Sequence, residues 1–361
     1  MDKKTGLFWL RDDFRISKND GLIEATRNHE QVVVFYLYKK HTFKYREAQK
    51  WWLSKSLIDF KEILNNFNIN LEIVETESFK VFFNKLFKKN DFSMYWNKVY
   101  EPDFLKFDKY LLENFKTKNI KFKICKGNAL NEVNEIKKND GTPFKVFTPF
   151  WRNAEKYYYE KIPPKAKMIK KCLRAKEYFK NRIHPKTILP KKNWFKNFEK
   201  TWSPSEENAL KTLRDFIKNK ITNYSDGRNF PNIIGTSKLS PFIKFGQIHV
   251  ETIWNECKKD KTKSLGTSKF LAEIGWREFN HSLINNFPHM LKNNYSNKFD
   301  KFPWEKNLKF LTAWKKGLTG YPIVDAGMRQ LYSTGWMHNR VRMIVGSFLV
   351  KHLLIDWKEG E

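Results

Sequence analysis

The chain has 361 residues, a formal net charge of +30, and an aromatic content of 16% that includes 13 tryptophans. Its length predicts about two domains, and no apolar run is long enough to span a membrane or to form the core of a signal peptide. The three cysteines are scattered, form no disulfide framework and no CxxC metal pattern, and predict a reducing, cytoplasmic location: Cys125, Cys172 and Cys257.

The positive charge attracts phosphate backbones, and the aromatic residues offer stacking surfaces for bases or for a planar cofactor. Both features also have plainer explanations. Lysine, asparagine, isoleucine and phenylalanine abound while arginine is sparse, as in proteins encoded by AT-rich genomes. The aromatic side chains could equally fill an ordinary core. Composition alone therefore leaves nucleic-acid binding open.

The first third of the chain alternates between short apolar, β-rich segments and segments with helical periodicity. Five strands are predicted, at Gly6–Leu10, Gln31–Tyr38, Ile69–Val74, Ser93–Trp96 and Phe122–Lys126. Four helices are predicted between them, at Gly21–Arg27, Glu47–Phe67, Phe79–Lys88 and Phe104–Phe115. This alternation predicts an α/β domain with a doubly wound parallel sheet over residues 1–129. The first strand is followed by no GxGxxG dinucleotide fingerprint.

The remaining two thirds of the chain divide into a linker and a helical domain. Residues 130–200 contain several prolines and many lysines with little regular period, and are predicted to be an interdomain linker. From residue 201 onward helical periodicity dominates. Helices are predicted at Glu207–Ile221, Phe270–Asn285 and Asp325–Leu354. Residues 201–361 are therefore predicted to form an all-helical domain.

The segment GTSKLSP (Gly235–Pro241) combines hydroxyl groups, a lysine and a helix-start signal. Ser240 followed by Pro241 is predicted to be an N-cap and first-turn pair. The preceding hydroxyls and Lys238 would then form a cradle for an anion. The same residues also fit an ordinary capped helix, so this motif leaves both interpretations open.

The segment EIGWREFNH (Glu273–His281) carries polar and aromatic side chains at helical spacing. Four residues lie three and four apart, which places them on one helix face: Glu273, Trp276, Arg277 and Asn280. A carboxyl group, an indole, a guanidinium and an amide on one face are not typical of a core stripe. The alternative is a solvated face with the indole lying along the surface.

The segment GWMHNRVRM (Gly335–Met343) presents Asn339 and Met343 four residues apart, flanked by Arg340 and Arg342. An amide, a thioether and two guanidinium groups suit a ligand that has both carbonyl groups and phosphates. Taken alone, the segment fits a basic surface helix just as well.

Taken together and in this order, the segments resemble the photolyase/cryptochrome family. The resemblance runs from Leu7 to Glu361 through LFWLRDDFR, WNKVYEP, FKVFTPFWR, Tyr224 with Arg228, GTSKLSP, EIGWREFNH, GYPIVDAGMRQLYSTGWMHNRVRM and FLVKHLLIDWKEGE. It implies an α/β antenna domain, a long linker and a helical domain that binds FAD. It also implies a monomer whose partner is DNA containing pyrimidine dimers.

The resemblance implies roles for individual residues. The FAD-binding residues would be Tyr224, Thr236, Ser237, Lys238, Leu239, Ser240 and Arg342. The residues lining the pocket for a flipped-out dimer would be Glu273, Trp276, Asn339 and Met343. The DNA-binding residues would be Glu273, Trp276, Arg277, Asn280, Asn339 and Arg340. Trp276 would stack on the thymines, and a protonated Glu273 would donate a hydrogen bond to a dimer carbonyl.

The implied activity is light-dependent repair of cyclobutane pyrimidine dimers by electron transfer from excited, reduced FAD. Relatives that repair the (6-4) photoproduct have histidines at the positions of Asn339 and Met343, and plant-type cryptochromes have aspartate at the position of Asn339. The alternatives are a cryptochrome-like photoreceptor, an inactive fragment, and a basic nucleic-acid binder without cofactor. The last alternative leaves Tyr224 and the GTSKLSP segment unexplained.

Two features depart from the family pattern. The family sequence continues past Trp357–Glu361 into a segment that completes the flavin pocket, so we expect a C-terminally truncated chain. Trp304 and Trp357 match the outer and middle members of the family's electron-relay triad, while the inner member has no counterpart. The antenna chromophore is also open: Lys292 fits a methenyltetrahydrofolate site, but Asp103-Phe104 stand where an Asn-Glu pair is expected.

Overall fold

The computed structural model describes residues 5–39, 46–89, 91–115, 120–160, 168–259 and 264–360. The strands are β1 (Thr5–Leu10), β2 (Gln31–Tyr38), β3 (Asn70–Glu75), β4 (Phe92–Asn97) and β5 (Lys121–Cys125). The helices that follow or separate them are α1 (Asp20–Asn28), α2 (Glu47–Asn65), α3 (Phe79–Leu86), α4 (Pro102–Phe115), α5 (Phe147–Glu160), α6 (Lys196–Thr201) and α7 (Glu206–Asn219). The remaining helices are α8 (Tyr224–Gly227), α9 (Ser240–Lys244), α10 (Val250–Lys258), α11 (Leu265–Asn286), α12 (Leu308–Lys316), α13 (Pro322–Thr334) and α14 (Asn339–Ser347).

The five strands form one parallel sheet in the order β3-β2-β1-β4-β5. Its central strands are buried on both faces, which is why their sequences are nearly continuous apolar runs. One face packs against α1 and α2, and the other against α3 and α4. The predicted doubly wound sheet is confirmed, and the predicted strands and helices agree with the observed ones to within a few residues at their ends.

The strand order reverses between β1 and β4, so their carboxyl ends flank a crevice of the kind that binds ligands in doubly wound folds. The segment after β1 joins the sheet to the helical region. The Phe14 N–H donates to the Phe245 carbonyl at 3.3 Å, and Arg15 Nη1 donates to the Gly246 carbonyl at 2.8 Å. A Cβ atom at Gly246 would lie 1.9 Å from the Asp12 carbonyl oxygen, so this close approach requires glycine.

The region 130–200 is more regular than its sequence predicts. It contains α5, a 14-residue helix, and most of the short helix α6. Buried residues at positions 150, 154 and 158 give α5 a core-facing stripe. The prediction of a linker with little regular structure is wrong for α5. Its Pro149 lies in the first turn, where proline is tolerated and does not break a helix.

The region after residue 201 is helical throughout its described residues. The predicted helix Asp325–Leu354 is wrong as one element, because α13 ends at Gly335, which adopts left-handed backbone angles (φ 71°). The chain restarts as α14 and ends in a π-helical turn at Phe348–His352. A small apolar core joins α12, α13 and α14, in which the Trp314 indole N–H donates to the Val345 carbonyl at 3.1 Å.

Within the described part of the chain, none of the helices is both long enough and apolar enough to cross a membrane. The three cysteines are buried free thiols.

Candidate functional site

A cavity of about 640 Å³ lies between the carboxyl ends of β1 and β4, helices α8, α9 and α11, and the start of α14. Its volume falls within the range of pockets that hold cofactors. It gathers many of the residues singled out from the sequence: Tyr224, Thr236, Ser237, Lys238, Leu239, Ser240, Glu273, Arg277, Asn339 and Arg342. Other residues predicted for the site do not line it: Trp276, Asn280, Arg340, Met343, Trp304 and Trp357.

The Gly235–Ser240 segment forms a tight loop along one wall of the cavity. Gly235 lies against the backbone of Gly227, where a Cβ atom at Gly235 would approach the Gly227 oxygen to 2.4 Å. Lys238 adopts left-handed backbone angles (φ 53°), a conformation uncommon for a residue with a side chain and often found at ligand-binding loops. The predicted N-cap role of Ser240 is wrong, because Leu239 is the N-cap of α9 and the Ser237 hydroxyl accepts the Leu239 N–H at 3.4 Å.

The charges around the cavity leave two cations without counterions. Most charged lining residues are paired, as in the contacts of Lys244 Nζ with Glu101 at 2.8 Å and with Asp12 at 3.5 Å. Lys238 and Arg342 form no ion pair with any other described residue. Burial, with Lys220 nearby, lowers the pKa of Lys238. An anionic ligand such as a diphosphate would relieve both effects.

Aromatic and apolar side chains form the rest of the wall. Tyr224 packs edge-on against Phe216 and Phe270, with ring centroids 5.5 and 5.4 Å apart, and burial raises the pKa of Tyr224 to about 12. Trp336 lies beneath Lys238, whose Nζ is 5.1 Å from the centre of the Trp336 ring. Planar walls beside hydroxyl groups and unpaired cations fit a ligand with aromatic rings and a diphosphate, which is the chemistry of FAD.

Helix α11 presents its polar residues on two sides rather than on one. Glu273 and Arg277 line the cavity, whereas Trp276 and Asn280 are exposed outside it. The prediction of one shared face is therefore wrong. Arg277 Nη1 pairs with Glu278 at 3.2 Å, and burial lowers the pKa of Arg277. This geometry makes Arg277 part of the cavity wall and gives no support to its predicted contact with DNA.

Glu273 is held by an ion pair with Arg228, which lies at the C-terminal end of α8. The Arg228 guanidinium also lies 5.4 Å from the centre of the Tyr224 ring. Among the described residues, only Oε1 of Glu273 takes part in a hydrogen bond. The second carboxyl oxygen is therefore available to a ligand.

Trp276 lies beside the cavity with one face covered. Its ring stacks on Phe147, with centroids 3.8 Å apart and an interplanar angle of 8°, and its edge meets Phe279 at 5.8 Å. The side chain remains 43% exposed, so it can still offer a stacking surface to a ligand. Sequence reasoning assigned no role to Phe147, although its FKVFTPFWR segment was singled out as a family motif.

The start of α14 is tied to the end of α8. Nε and Nη2 of Arg340 donate to Asn229 Oδ1 at 3.0 and 2.7 Å. Met343 lies one turn further along α14, is 58% exposed, and has its sulfur 3.7 Å from Nη1 of Arg340. Asn339 Nδ2 approaches the same sulfur at 4.0 Å. Asn339, Arg340 and Met343 are thus adjacent, with Asn339 on the cavity and the other two beside it.

The two tryptophans predicted for an electron relay lie away from the cavity. Trp304 packs on Phe302, with centroids 4.4 Å apart, and the Trp357 indole N–H donates to Asn294 Oδ1 at 3.2 Å. No ring contact joins Trp304 to Trp357 in the described structure. Their relay role stays a prediction.

The residues predicted for an antenna site are divided. Asp103 lines the cavity, whereas Phe104 packs on Trp9 in the core beneath the sheet, with centroids 6.3 Å apart. Lys292 is exposed outside the cavity, next to the lining residue Leu291. A folate antenna stays a prediction.

Sequence reasoning missed several lining residues that come from the crevice between β1 and β4: Asp12, Lys98, Tyr100, Glu101 and Lys244. A usable signal was present, because a doubly wound sheet binds ligands where the strand order reverses. That order could not be obtained from the strand pattern alone.

Comparison with protein families finds two matches. Residues 6–167 match the family described as DNA photolyase, and residues 270–361 match the FAD binding domain of DNA photolyase. The second match contains Glu273, Asn339 and Arg342.

Individual relatives span the whole chain. It is 36% identical to a deoxyribodipyrimidine photo-lyase of Agrobacterium fabrum, with all of this chain aligned to 76% of that protein. It is 30% identical to Cryptochrome-2 of Arabidopsis thaliana, with all of this chain aligned to 61% of that protein. A bacterial class III photolyase from Agrobacterium tumefaciens superimposes with a TM-score of 0.91 at 34% identity, covering all of this chain and 75% of that structure.

Proposed function

The chain belongs to the photolyase/cryptochrome family, and we propose that it repairs cyclobutane pyrimidine dimers in DNA under light, with FAD bound in the cavity. One observation supports this proposal above the others. Glu273 and Asn339 line the same cavity as the unpaired cations Lys238 and Arg342. A dimer and a flavin cofactor would therefore share one enclosed space.

We assign the diphosphate of FAD to the loop that carries Thr236, Ser237 and Lys238. The hydroxyl groups and the lysine would replace the water that solvates the phosphates, and Arg342 would add a second cation. When bound in its reduced form, FAD supplies the light-excited electron that splits the cyclobutane ring. The protein's contribution is to position the dimer and to stabilise charge on it.

The dimer must leave the duplex to enter the cavity. Flipping costs least for a damaged base pair, whose pairing and stacking are already weakened. Trp276 would stack against the flipped dimer with the face that Phe147 leaves uncovered. Arg340, held by Asn229, would bind a phosphate beside the lesion.

Glu273 would stabilise the dimer as it gains negative charge. Arg228 orients the carboxyl group through one oxygen, so the other oxygen, in its protonated form, can donate to a dimer carbonyl. Asn339, on the same cavity, would add an amide donor. Such contacts strengthen as charge arrives on the dimer, so they speed the reaction more than they tighten binding.

The residues at the start of α14 favour the cyclobutane dimer over the (6-4) photoproduct as substrate. The resemblance places histidines at the positions of Asn339 and Met343 in (6-4) enzymes, and this chain has no imidazole at either position. The neighbouring His338 is buried as the N-cap of α14, where its Nδ1 accepts the Arg340 N–H at 3.2 Å.

The second candidate is a cryptochrome-like photoreceptor that binds flavin without repairing DNA. The similarity to Cryptochrome-2 of Arabidopsis thaliana supports this alternative. The two candidates differ in what the mouth of the cavity must do. A photoreceptor does not need an exposed indole beside a lesion-sized opening, whereas a repair enzyme does.

Binding in the dark separates the two candidates. The protein is titrated with duplexes containing a cyclobutane dimer, a (6-4) photoproduct or no lesion, at several salt concentrations. We expect tightest binding to the cyclobutane dimer, superimposed on a strong salt dependence from phosphate contacts. Equal affinity for all three duplexes at moderate salt would leave only nonspecific charge attraction and would favour the photoreceptor.

A further inference from the structure

A short loop at the mouth of the cavity is closed at its base. Gly227 and Gly235 touch, with no room for a side chain at Gly235, so the seven residues between them project as a loop. We call residues 228–234 the mouth loop. Its sequence is Arg-Asn-Phe-Pro-Asn-Ile-Ile.

The base of the mouth loop is bonded to residues of the proposed lesion site. Arg228 pairs with Glu273, and Asn229 accepts two hydrogen bonds from Arg340. Two consecutive loop residues thus reach α11 and α14, the helices that carry the residues proposed to face the lesion. The base of the loop is therefore fixed relative to the lesion pocket.

The tip of the mouth loop is apolar and exposed. Phe230 is 55% exposed, Ile233 47% and Ile234 66%. Single exposed apolar side chains need no explanation, but three within one seven-residue loop beside a ligand cavity mark a contact surface. Trp276 and Met343, exposed on the two helices that the loop contacts, extend this apolar rim.

We propose that the tip of the mouth loop is a wedge that enters the DNA duplex and fills the gap left by the flipped dimer. This inference rests on the proposed repair function. Apolar side chains that enter a base stack offset the unstacking cost, and phenylalanine and isoleucine are among those used. Duplex DNA is the fitting occupant, because Arg340 and Lys238 place positive charge beside the tip and the chain carries a net charge of +30.

The test uses Phe230→Ser combined with Ile234→Ser in the full chain. Both side chains are exposed, so the substitutions remove apolar surface without opening the core. Val81→Ser is the matched control, because Val81 is 66% exposed on α3, in the α/β region. Dissociation constants are measured for dimer-containing duplex, dimer-containing single strand and undamaged duplex. A 2-aminopurine opposite the dimer reports unstacking by its fluorescence.

The wedge predicts that the double variant binds the damaged duplex about 5- to 150-fold more weakly, the range for a lost base–aromatic contact. Binding to the damaged single strand should hardly change, since it has no gap to fill, and Val81→Ser should match wild type throughout. Unchanged affinity for the damaged duplex would overturn the inference. An equal loss on the single strand would also overturn it, by placing the tip against the dimer itself. If the wild-type protein fails to prefer damaged DNA at all, it is the proposed function that fails.

Discussion

The indole ring of Trp276 lies parallel to the phenyl ring of Phe147, with centroids 3.8 Å apart and an interplanar angle of 8°. The two residues come from different helices, since Phe147 begins α5 and Trp276 lies within α11. Phe279 closes the edge of the same indole. The contact restricts the Trp276 side chain to one orientation while leaving its other face open. Phe147 is therefore a positioning residue for the proposed lesion contact.

Replacing Phe147 with alanine should weaken binding of dimer-containing DNA. Aromatic pairs contribute about 0.5–1.5 kcal/mol beyond the area they bury, so the dissociation constant should rise about 2- to 13-fold. Phe147→Tyr keeps the ring and serves as the control. The measurement is a titration of both variants with damaged and undamaged duplex. Equal losses on both duplexes would indicate a general structural defect and would contradict the positioning role.

Trp276→Ala and Glu273→Ala should affect different steps. Loss of base–aromatic stacking, about 1–3 kcal/mol, should weaken lesion binding by about 5- to 150-fold and reduce repair per bound lesion less. Glu273 acts mainly when charge reaches the dimer, so its removal should lower the repair yield more than the affinity. Dissociation constants and yields under saturating DNA separate the two. An unchanged yield for Glu273→Ala, or an unchanged affinity for Trp276→Ala, would refute the assignment of that residue to the lesion.

Lys238→Gln should weaken FAD binding. The residue lines the cavity, forms no ion pair with the other described residues, and can give a phosphate a charge-assisted hydrogen bond worth about 1.5–3 kcal/mol. The FAD dissociation constant should therefore rise about 10- to 150-fold. Lys315→Gln removes an equal charge from the exposed face of α12 and should leave FAD binding unchanged. Equal behaviour of the two variants in a flavin titration would exclude Lys238 from the diphosphate site.

Glu251 should contribute a pH-dependent part of the folding stability. Burial alone would raise its pKa, but Lys126 and Lys18 outweigh that effect and lower the pKa below its ordinary value of 4.5. A depressed pKa means that the contribution is present above pH 4.5 and is lost as the pH falls toward the folded-state pKa. Glu251→Gln should thus lower the unfolding free energy by about 2 kcal/mol at pH 7. The difference from wild type should shrink in acid.

Urea unfolding at pH 7 and pH 4 measures this difference. Glu256→Gln is the matched control on the same helix, because its pair with Lys259 is exposed and surface pairs contribute little. A Glu251→Gln effect that is as small as the control, or that does not change with pH, would contradict the account.

The sheet was predictable because its strands are buried on both faces and therefore form continuous apolar segments. Helix α5 was missed because Pro149 and the aromatic-rich sequence obscured a simple stripe of Phe150, Ala154 and Tyr158. The end of α13 at Gly335 could have been recognised, since glycine is the usual residue at a left-handed helix terminus.

The candidate site was predictable where its residues lie close together in the sequence, as in the Gly235–Ser240 loop. The contacts that organise it join distant segments, and no local pattern indicates them. Phe147 on Trp276 and Asn229 on Arg340 are both of this kind. The split of α11 into two polar sides likewise depends on Glu278, which draws Arg277 into the wall.

The central claim is that the cavity lined by Glu273 and Asn339 receives a pyrimidine dimer and that light splits it there. The most direct measurement mixes the protein, with its bound reduced FAD quantified, with an oligonucleotide containing one cyclobutane thymine dimer. Restored thymines are counted after blue light and after darkness. The account predicts restoration that requires both light and protein and that falls in Glu273→Ala. An intact dimer after illumination, with both FAD and damaged DNA shown to be bound, would contradict it.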